Sequence, residues 1–268
     1  ADSMQLYKGM DIGTAKLPLQ ERRNIPHHLL DVLTVNHDAT VAWYQERARA
    51  CISEIHERGK PAIIVGGTGL YIKSILDELN FPDTDPQVRQ RLEKMSEELG
   101  ADYLFRMLQE KDPAAARAID RANTRRVIRA LEVIEITGEP FTAHLPREDS
   151  SRYPEALQFG LVMDREHLRE RIDQRVDRMW EAGFVDEVDQ LIEAGIREGT
   201  TAQRALGYAQ VLAMRDGTIS EEHAKEETKR ATRQYARRQE TWFSRDMRIQ
   251  WIAQHQPRRE TILEKINS

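Results

Sequence analysis

The stretch Pro61-Ala62-Ile63-Ile64-Val65-Gly66-Gly67-Thr68-Gly69-Leu70-Tyr71 decides how the chain reads. An apolar, β-branched run stops at a glycine pair, and helix-forming residues follow to about Glu78. A buried strand, a glycine-rich turn and a helix in that order are what a parallel sheet with helical crossovers requires. Upstream, Gly59-Lys60 closes a helix predicted over Val41 to Arg58, whose apolar positions (Val41, Tyr44, Ala48, Cys51, Ile52, Ile55) recur at helical spacing. Before that helix, Pro26 to Val32 is a short extended candidate.

Downstream the pattern changes. Asp85-Pro86 reads as a helix start, and helical segments follow near 86–99, 101–110, 112–119 and 123–137, broken at Asp112-Pro113 and Thr137-Gly138. No strand pattern occurs there. Strand character returns at Leu157 to Met163, followed by helices near 165–180, 184–194, 202–215 and 220–246, a short strand at Ile249 to Ile252, and a polar tail. The expectation is an α/β core formed by 1–82 and 156–268, with 83–155 as an all-helical insertion domain.

Composition bounds the function classes. The chain has 268 residues, 40% hydrophobic and 32% charged, enough for a sizeable core under a highly charged surface. No apolar run approaches the roughly 18–20 residues of a spanning helix. Cys51 is the only cysteine, which excludes an intramolecular disulfide framework and a multi-cysteine zinc site and suits a reducing, cytoplasmic setting. The opening Ala1-Asp2-Ser3-Met4-Gln5 has no basic-then-apolar leader. Net charge is −5, yet between Lys225 and Arg248 eight basic residues face four acids, so a basic face is expected on an acidic body.

Several residue groups are candidates for chemistry, each with an ordinary structural alternative. Gly67 to Ser74 imitates a phosphate loop, but Ile72 replaces the glycine whose backbone must turn, and no such loop occurs elsewhere. The Gly66-Gly67-Thr68-Gly69 turn is either a ligand seat at a strand's carboxyl end or a tight connection. Asp2, ahead of Gly9 to Thr14, is a general base, a metal ligand or a solvated acid. Arg171 and Arg175, with Arg178, form a ridge suited to phosphate oxygens, or a surface paired with Glu170, Asp173 and Asp177. Lys229, Arg233 and Arg237 recur every four residues, with Tyr235, Trp242 and Phe243 interleaved. That pattern fits RNA, or a solvated helix face with its aromatics in the core. The eight histidines have no metal-binding spacing, and Cys51 falls on an apolar helix stripe.

Taken in order, Ala1 to Gln5 with Tyr7 to Lys16, Pro26-His27-His28-Leu29, Val65 to Tyr71, Arg171-Ile172 with Arg175-Val176, Arg204 to Tyr208, and Thr232 to Trp242 resemble the bacterial-type tRNA dimethylallyltransferase family. The resemblance covers nearly the whole chain. It implies a parallel-sheet core like that of phosphate-loop NTPases and transfer of a dimethylallyl group from dimethylallyl diphosphate to N6 of the adenosine immediately 3′ of the anticodon, in tRNAs reading codons that begin with U. Family members carry a strand and phosphate loop ahead of the Ala-Asp-Ser motif. The chain opens at that motif, so its first strand and loop are expected to be absent and the chain as given to be inactive.

The resemblance also assigns roles. Asp2 matches the family's base, and Arg175, helped by Arg171 and Mg²⁺, would stabilise the leaving diphosphate. The tRNA contacts carry over to Asp2, Ser3, Met4, Gln5, Thr68, Arg89, Asn123, Thr124, Arg125, Arg126, Val127, Arg204, Gly207, Tyr208, Arg233, Arg237, Arg238, Gln239 and Trp242. No metal ligand is assigned within this chain. A tRNA anticodon stem-loop and dimethylallyl diphosphate are the expected partners, with no membrane, and the chain is expected to be a cytoplasmic monomer. The competing readings are an adenine-nucleotide isopentenyltransferase, a non-catalytic RNA-binding fragment and, less well matched, a nucleoside kinase.

Overall fold

The computed structural model describes residues 1–144 and 151–267. In chain order the elements are α1 (Val41–Glu57), α2 (Gly69–Leu76), α3 (Pro86–Leu99), α4 (Ala101–Lys111), α5 (Pro113–Ala118), α6 (Thr124–Thr137), β1 (Gln158–Leu161), α7 (Arg165–Glu181), α8 (Phe184–Glu193), α9 (Tyr208–Arg215), α10 (Glu221–Phe243), β2 (Ile249–Ile252) and α11 (Arg258–Asn267). The fold is α/β, mostly helical, with a small parallel sheet in which Gln158 pairs with Ile249 and Leu161 with Ile252.

Local chemistry sets the helix ends. Side-chain oxygens of Thr40, Asp85, Asp112, Asn123, Asp164 and Ser220 accept first-turn N–H groups that have no partner within their helices. Proline occupies the first turn of α3 and α5, where its missing N–H costs nothing. Gly138 takes the left-handed conformation that stops α6.

The chain divides into two compact units, Ala1–Ile75 with Tyr153–Ser268, and Leu76–Arg152. The second unit is built from α3 to α6. Its core joins Leu92, Leu104, Leu108, Ala115, Ala116, Ile119, Val127, Ile128, Ala130 and Leu131. Glu132 is fully buried there and accepts from Arg89 (2.7 Å), Arg129 (2.9 Å) and the Asp85 N–H (3.1 Å). In the first unit, α10 packs against α7 and α9. Trp180, Phe184 and Tyr208 meet edge to face, with centroids 5.3 and 5.0 Å apart.

Four expectations from sequence are corrected. Residues 61–65 form no strand, and Ile63 and Val65 are 84% and 77% exposed. The Ala1 nitrogen donates to Val65 O (2.5 Å), but no ladder runs along the segment, and apolar β-branched residues become a strand only with one. Residues 26–32 are not extended either: Leu29 and Asp31 have φ of 60° and 58°, which breaks strand alternation. The Asp31 N–H donates to Gln5 O (3.2 Å) and the Val32 N–H to Leu6 O (2.8 Å), and an isolated bridge between Tyr7 and Leu33 continues the contact with the first residues. The helix expected over 202–215 is interrupted at Gly207, with φ of 86°. The polar tail contains α11, whose Ile262, Leu263 and Ile266 carry a helical spacing that sequence reading missed.

Candidate active site

The 66–69 turn is the centre of a convergence within the first unit. On one side lies the N-terminal segment: the Thr68 N–H donates to Ala1 O (3.3 Å), and the Ser3 N–H to Thr68 Oγ1 (3.3 Å). On the other side lies the second half of α10. Tyr235 Oη (3.3 Å) and Gln239 Nε2 (2.8 Å) both donate to Gly67 O. Close approach requires glycine at 66, against the Ala1 backbone, and at 69, against the Trp242 ring, whereas the neighbour at 67 is the movable end of Gln239. A Cβ on Gly66 would stand 2.1 Å from Ala1 O, one on Gly67 2.0 Å from Gln239 Nε2, and one on Gly69 2.3 Å from the Trp242 ring. Both alternatives left by the sequence assumed a strand ahead of this turn. Its glycines instead allow two chain segments to seat against it.

Asp2 is fixed within this arrangement. Its Oδ1 accepts from the Met4 N–H (2.8 Å) and the Gln5 N–H (3.3 Å), an Asx turn that sets the carboxylate plane. Its Oδ2 has no hydrogen-bond donor among the described residues. Three phenols feel its charge. Burial raises Tyr44, with Tyr71 and Asp2 adding, and pushes Tyr71 up to about 12, with Tyr7 and Asp2 adding. Tyr235 is raised by burial first, and Asp2 contributes. Tyr44 and Tyr71 stack with centroids 4.1 Å apart. All three therefore stay neutral near neutral pH.

Arg175 lies on α7 and donates to Gly13 O (3.3 Å). Two of the three acids that were candidates to neutralise its ridge are directed elsewhere. Asp177 accepts from Lys225 and Lys229 at 2.9 Å each, and Asp173 pairs with Arg233. Neither Arg171 nor Arg175 has an ion-pair partner among the described residues, and both are exposed. Arg233 is thus tied to α7, whereas Arg237 and Arg238 stay exposed, with Arg238 5.8 Å above the Tyr235 ring. Trp242 is partly open, 44% exposed. Arg204 is exposed, and Gly207 is buried at the start of α9.

Some predicted residues sit where their side chains cannot reach a ligand. Tyr208 is fully buried, its hydroxyl donating to Glu187 Oε1 (2.6 Å), and Val127 is in the core of the second unit. In that same unit Asn123 caps α6 through the Arg126 N–H, Thr124 opens the helix, Arg125 and Arg126 are exposed, and Arg89 is paired with Glu132. Sequence reading also missed a residue. Glu187 accepts from the Asp11 (3.1 Å), Ile12 (2.7 Å) and Gly13 (3.3 Å) N–H groups as well as from Tyr208. The available signal was its position: with Phe184, Val188 and Leu191 it falls on one buried face of α8.

Comparison with known proteins gives one answer. The sequence model of a family described as IPP transferase matches residues 5–246. A tRNA dimethylallyltransferase of Thermobifida fusca is 59% identical over 257 residues, covering 96% of this chain and 80% of that protein. The crystal structure of a tRNA isopentenylpyrophosphate transferase from Staphylococcus epidermidis superposes with a TM-score of 0.71 at 36% identity, covering 99% of this chain and 88% of that one. A eukaryotic dimethylallyltransferase captured acting on tRNA gives 0.76 at 28% identity, over 94% of this chain and 66% of that one.

Proposed function

This chain belongs to the IPP transferase family, and on that premise we infer that it is a tRNA-modifying prenyltransferase. It transfers the dimethylallyl group from dimethylallyl diphosphate to N6 of the adenosine immediately 3′ of the anticodon. The observation that carries this reading is Asp2, with one oxygen held by two backbone N–H groups and the other without a donor among the described residues, beside the 66–69 turn.

The residues divide the work as the chemistry requires. The adenine amine is a weak nucleophile, so a carboxylate that accepts its N–H and then its proton assists attack on the first carbon of the donor. As the new N–C bond forms, the C–O bond breaks and diphosphate leaves with the electron pair. Arg175 and Arg171, both without carboxylate partners among the described residues, stabilise that charge. Ser3, Met4, Gln5, Thr68, Gln239 and Trp242 surround the adenosine end, and Arg204, Arg237 and Arg238 face the RNA backbone. Arg233, tied to Asp173, orients α10 for that contact. The helical segment 83–155, an insertion domain, offers an RNA contact of its own through the exposed Arg125 and Arg126. The target base must leave its stack to reach Asp2.

The family's chemistry implies Mg²⁺ on the diphosphate. Among the described residues no group of three His, Cys, Asp or Glu converges to hold an ion, so these residues do not by themselves form a magnesium site. No helix among the described residues is long and apolar enough to cross a membrane. We place the protein in the cytoplasm as a monomer acting on the anticodon stem-loop.

The test is transfer of labelled dimethylallyl diphosphate to an anticodon stem-loop, comparing the protein supplied with the family's upstream strand and phosphate loop with the same protein carrying Asp2→Asn. The variant should lose about 10²–10⁴-fold in kcat while keeping its stem-loop affinity. Undiminished transfer removes Asp2 as the base. Transfer to free AMP but not to the stem-loop makes the protein an adenine-nucleotide enzyme instead.

A further inference from the structure

We propose that Glu187 is a positioning residue for the transfer reaction, holding the Asp11–Thr14 loop so that both Arg175 and the Asp2 turn are set from one buried carboxylate. The proposal rests on the roles given above to Asp2 and Arg175. Successive N–H groups of Asp11, Ile12 and Gly13 form a concave nest of donors, the arrangement that elsewhere cradles an external anion. Here the anion is the protein's own, supplied from α8 and held by a fourth donor, the Tyr208 hydroxyl. The rings of Phe184 and Tyr208 close on Gly13 from the same side; a Cβ there would stand 2.5 Å from each. The loop is therefore pinned from beneath by bonds and by packing.

Its opposite face points toward the reaction. Gly13 O accepts from Arg175 Nη2 (3.3 Å), and Thr14 O accepts from Gln5 Nε2 (3.0 Å). Gln5 in turn donates its N–H to Asp2 Oδ1 (3.3 Å). One set of contacts thus runs from Glu187 through the loop to the guanidinium for the leaving group and to the carboxylate for the nucleophile. Glu187 itself is buried, with its oxygens taken up by the loop and Tyr208, so it acts through the loop. Small displacements of positioned groups are costly in catalysis, and this linkage makes both ends of the reaction depend on one residue.

Glu187→Gln tests this because the side chain keeps its shape while one of its two acceptor oxygens becomes an NH2 that cannot accept, so two of the four donors lose their partner. Amide hydrogen exchange reads the loop directly, and the affinity for inorganic pyrophosphate reads Arg175. The variant should exchange the Asp11, Ile12 and Gly13 amides at least about tenfold faster than the parent. It should bind pyrophosphate about tenfold more weakly, a change that a purely structural role in α8 would not produce. Unchanged exchange overturns the proposal. So does faster exchange with parental pyrophosphate affinity, when Arg175→Ala has lost that affinity. If Arg175→Ala binds pyrophosphate like the parent, the role of Arg175 fails instead, and exchange at 11–13 still decides whether Glu187 holds the loop. Should Glu187→Gln not fold, Tyr208→Phe removes one donor to Glu187 with the ring retained. It should shift both readouts in the same directions by smaller factors, and no shift in either overturns the assignment.

Discussion

Gly13 is the residue at which packing and chemistry are least separable. Its missing side chain lets the Phe184 and Tyr208 rings reach the backbone, and its carbonyl receives Arg175. Gly13→Ala should destabilise the protein by about 1–3 kcal/mol through overpacking, measured by denaturant unfolding. It should also weaken pyrophosphate binding; a variant as stable as the parent would show that the rings can move aside. Tyr208 is a different case. Its phenol is raised by burial first and then by the Glu187 carboxylate, so it stays a donor at every accessible pH. The Arg-Ala-Leu-Gly-Tyr segment was legible as a motif, but not the direction of its tyrosine. Side-chain direction depends on what α8 places behind the ring, and no local spacing encodes that.

Among the elements, α10 shows how one basic stripe serves two purposes. Its first half is used internally: Lys225 and Lys229 meet Asp177, and Arg233 meets Asp173, all on α7. Hydrogen bonds from Lys229 and Lys225 hold Asp177 below the usual carboxylate range. Its second half faces the 66–69 turn through Tyr235, Gln239 and Trp242 and leaves Arg237 and Arg238 exposed. Arg237→Ala and Arg238→Ala should each weaken stem-loop binding and lower the dependence of log K on log salt by about one. Lys225→Ala should leave that slope unchanged. Equal slopes for all three would mean that the stripe contributes as a diffuse field rather than by contacts. The sequence identified the stripe but could not divide it, because α7 and α10 are far apart along the chain.

For the whole molecule, acid is the informative perturbation. Asp38, Asp112 and Glu132 lie below their ordinary values: burial acts to raise them, and hydrogen bonds outweigh it, from Thr200 and Thr201, from Ala115 and Thr142, and from Arg89 and Arg129 respectively. Asp246 is lowered chiefly by Arg248. Carboxylates depressed on folding contribute stability that is fully present above their unfolded values and is lost as pH falls through the folded ones. Melting temperature followed by circular dichroism should therefore hold between neutral pH and about pH 5 and fall steeply below about pH 4. A flat profile to about pH 3 would show that these bonds do not control stability.

The sequence by itself determined the family, most helix spans and the α/β class. Long motifs, capping residues and 3.6-residue periodicity are local, and neighbours a few positions apart fix them. It also singled out Asp2, Arg175 and the glycine turn as residues, without their geometry. Only the tertiary structure decided that 61–65 is no strand, that the glycines are close-approach sites, that Arg233 belongs to α7, and that Glu187 lies beneath the 11–14 loop. A ladder, a ring over a backbone and a buried carboxylate each need partners brought together from distant parts of the chain. Those partners are chosen by how the elements pack, a choice that no single segment contains.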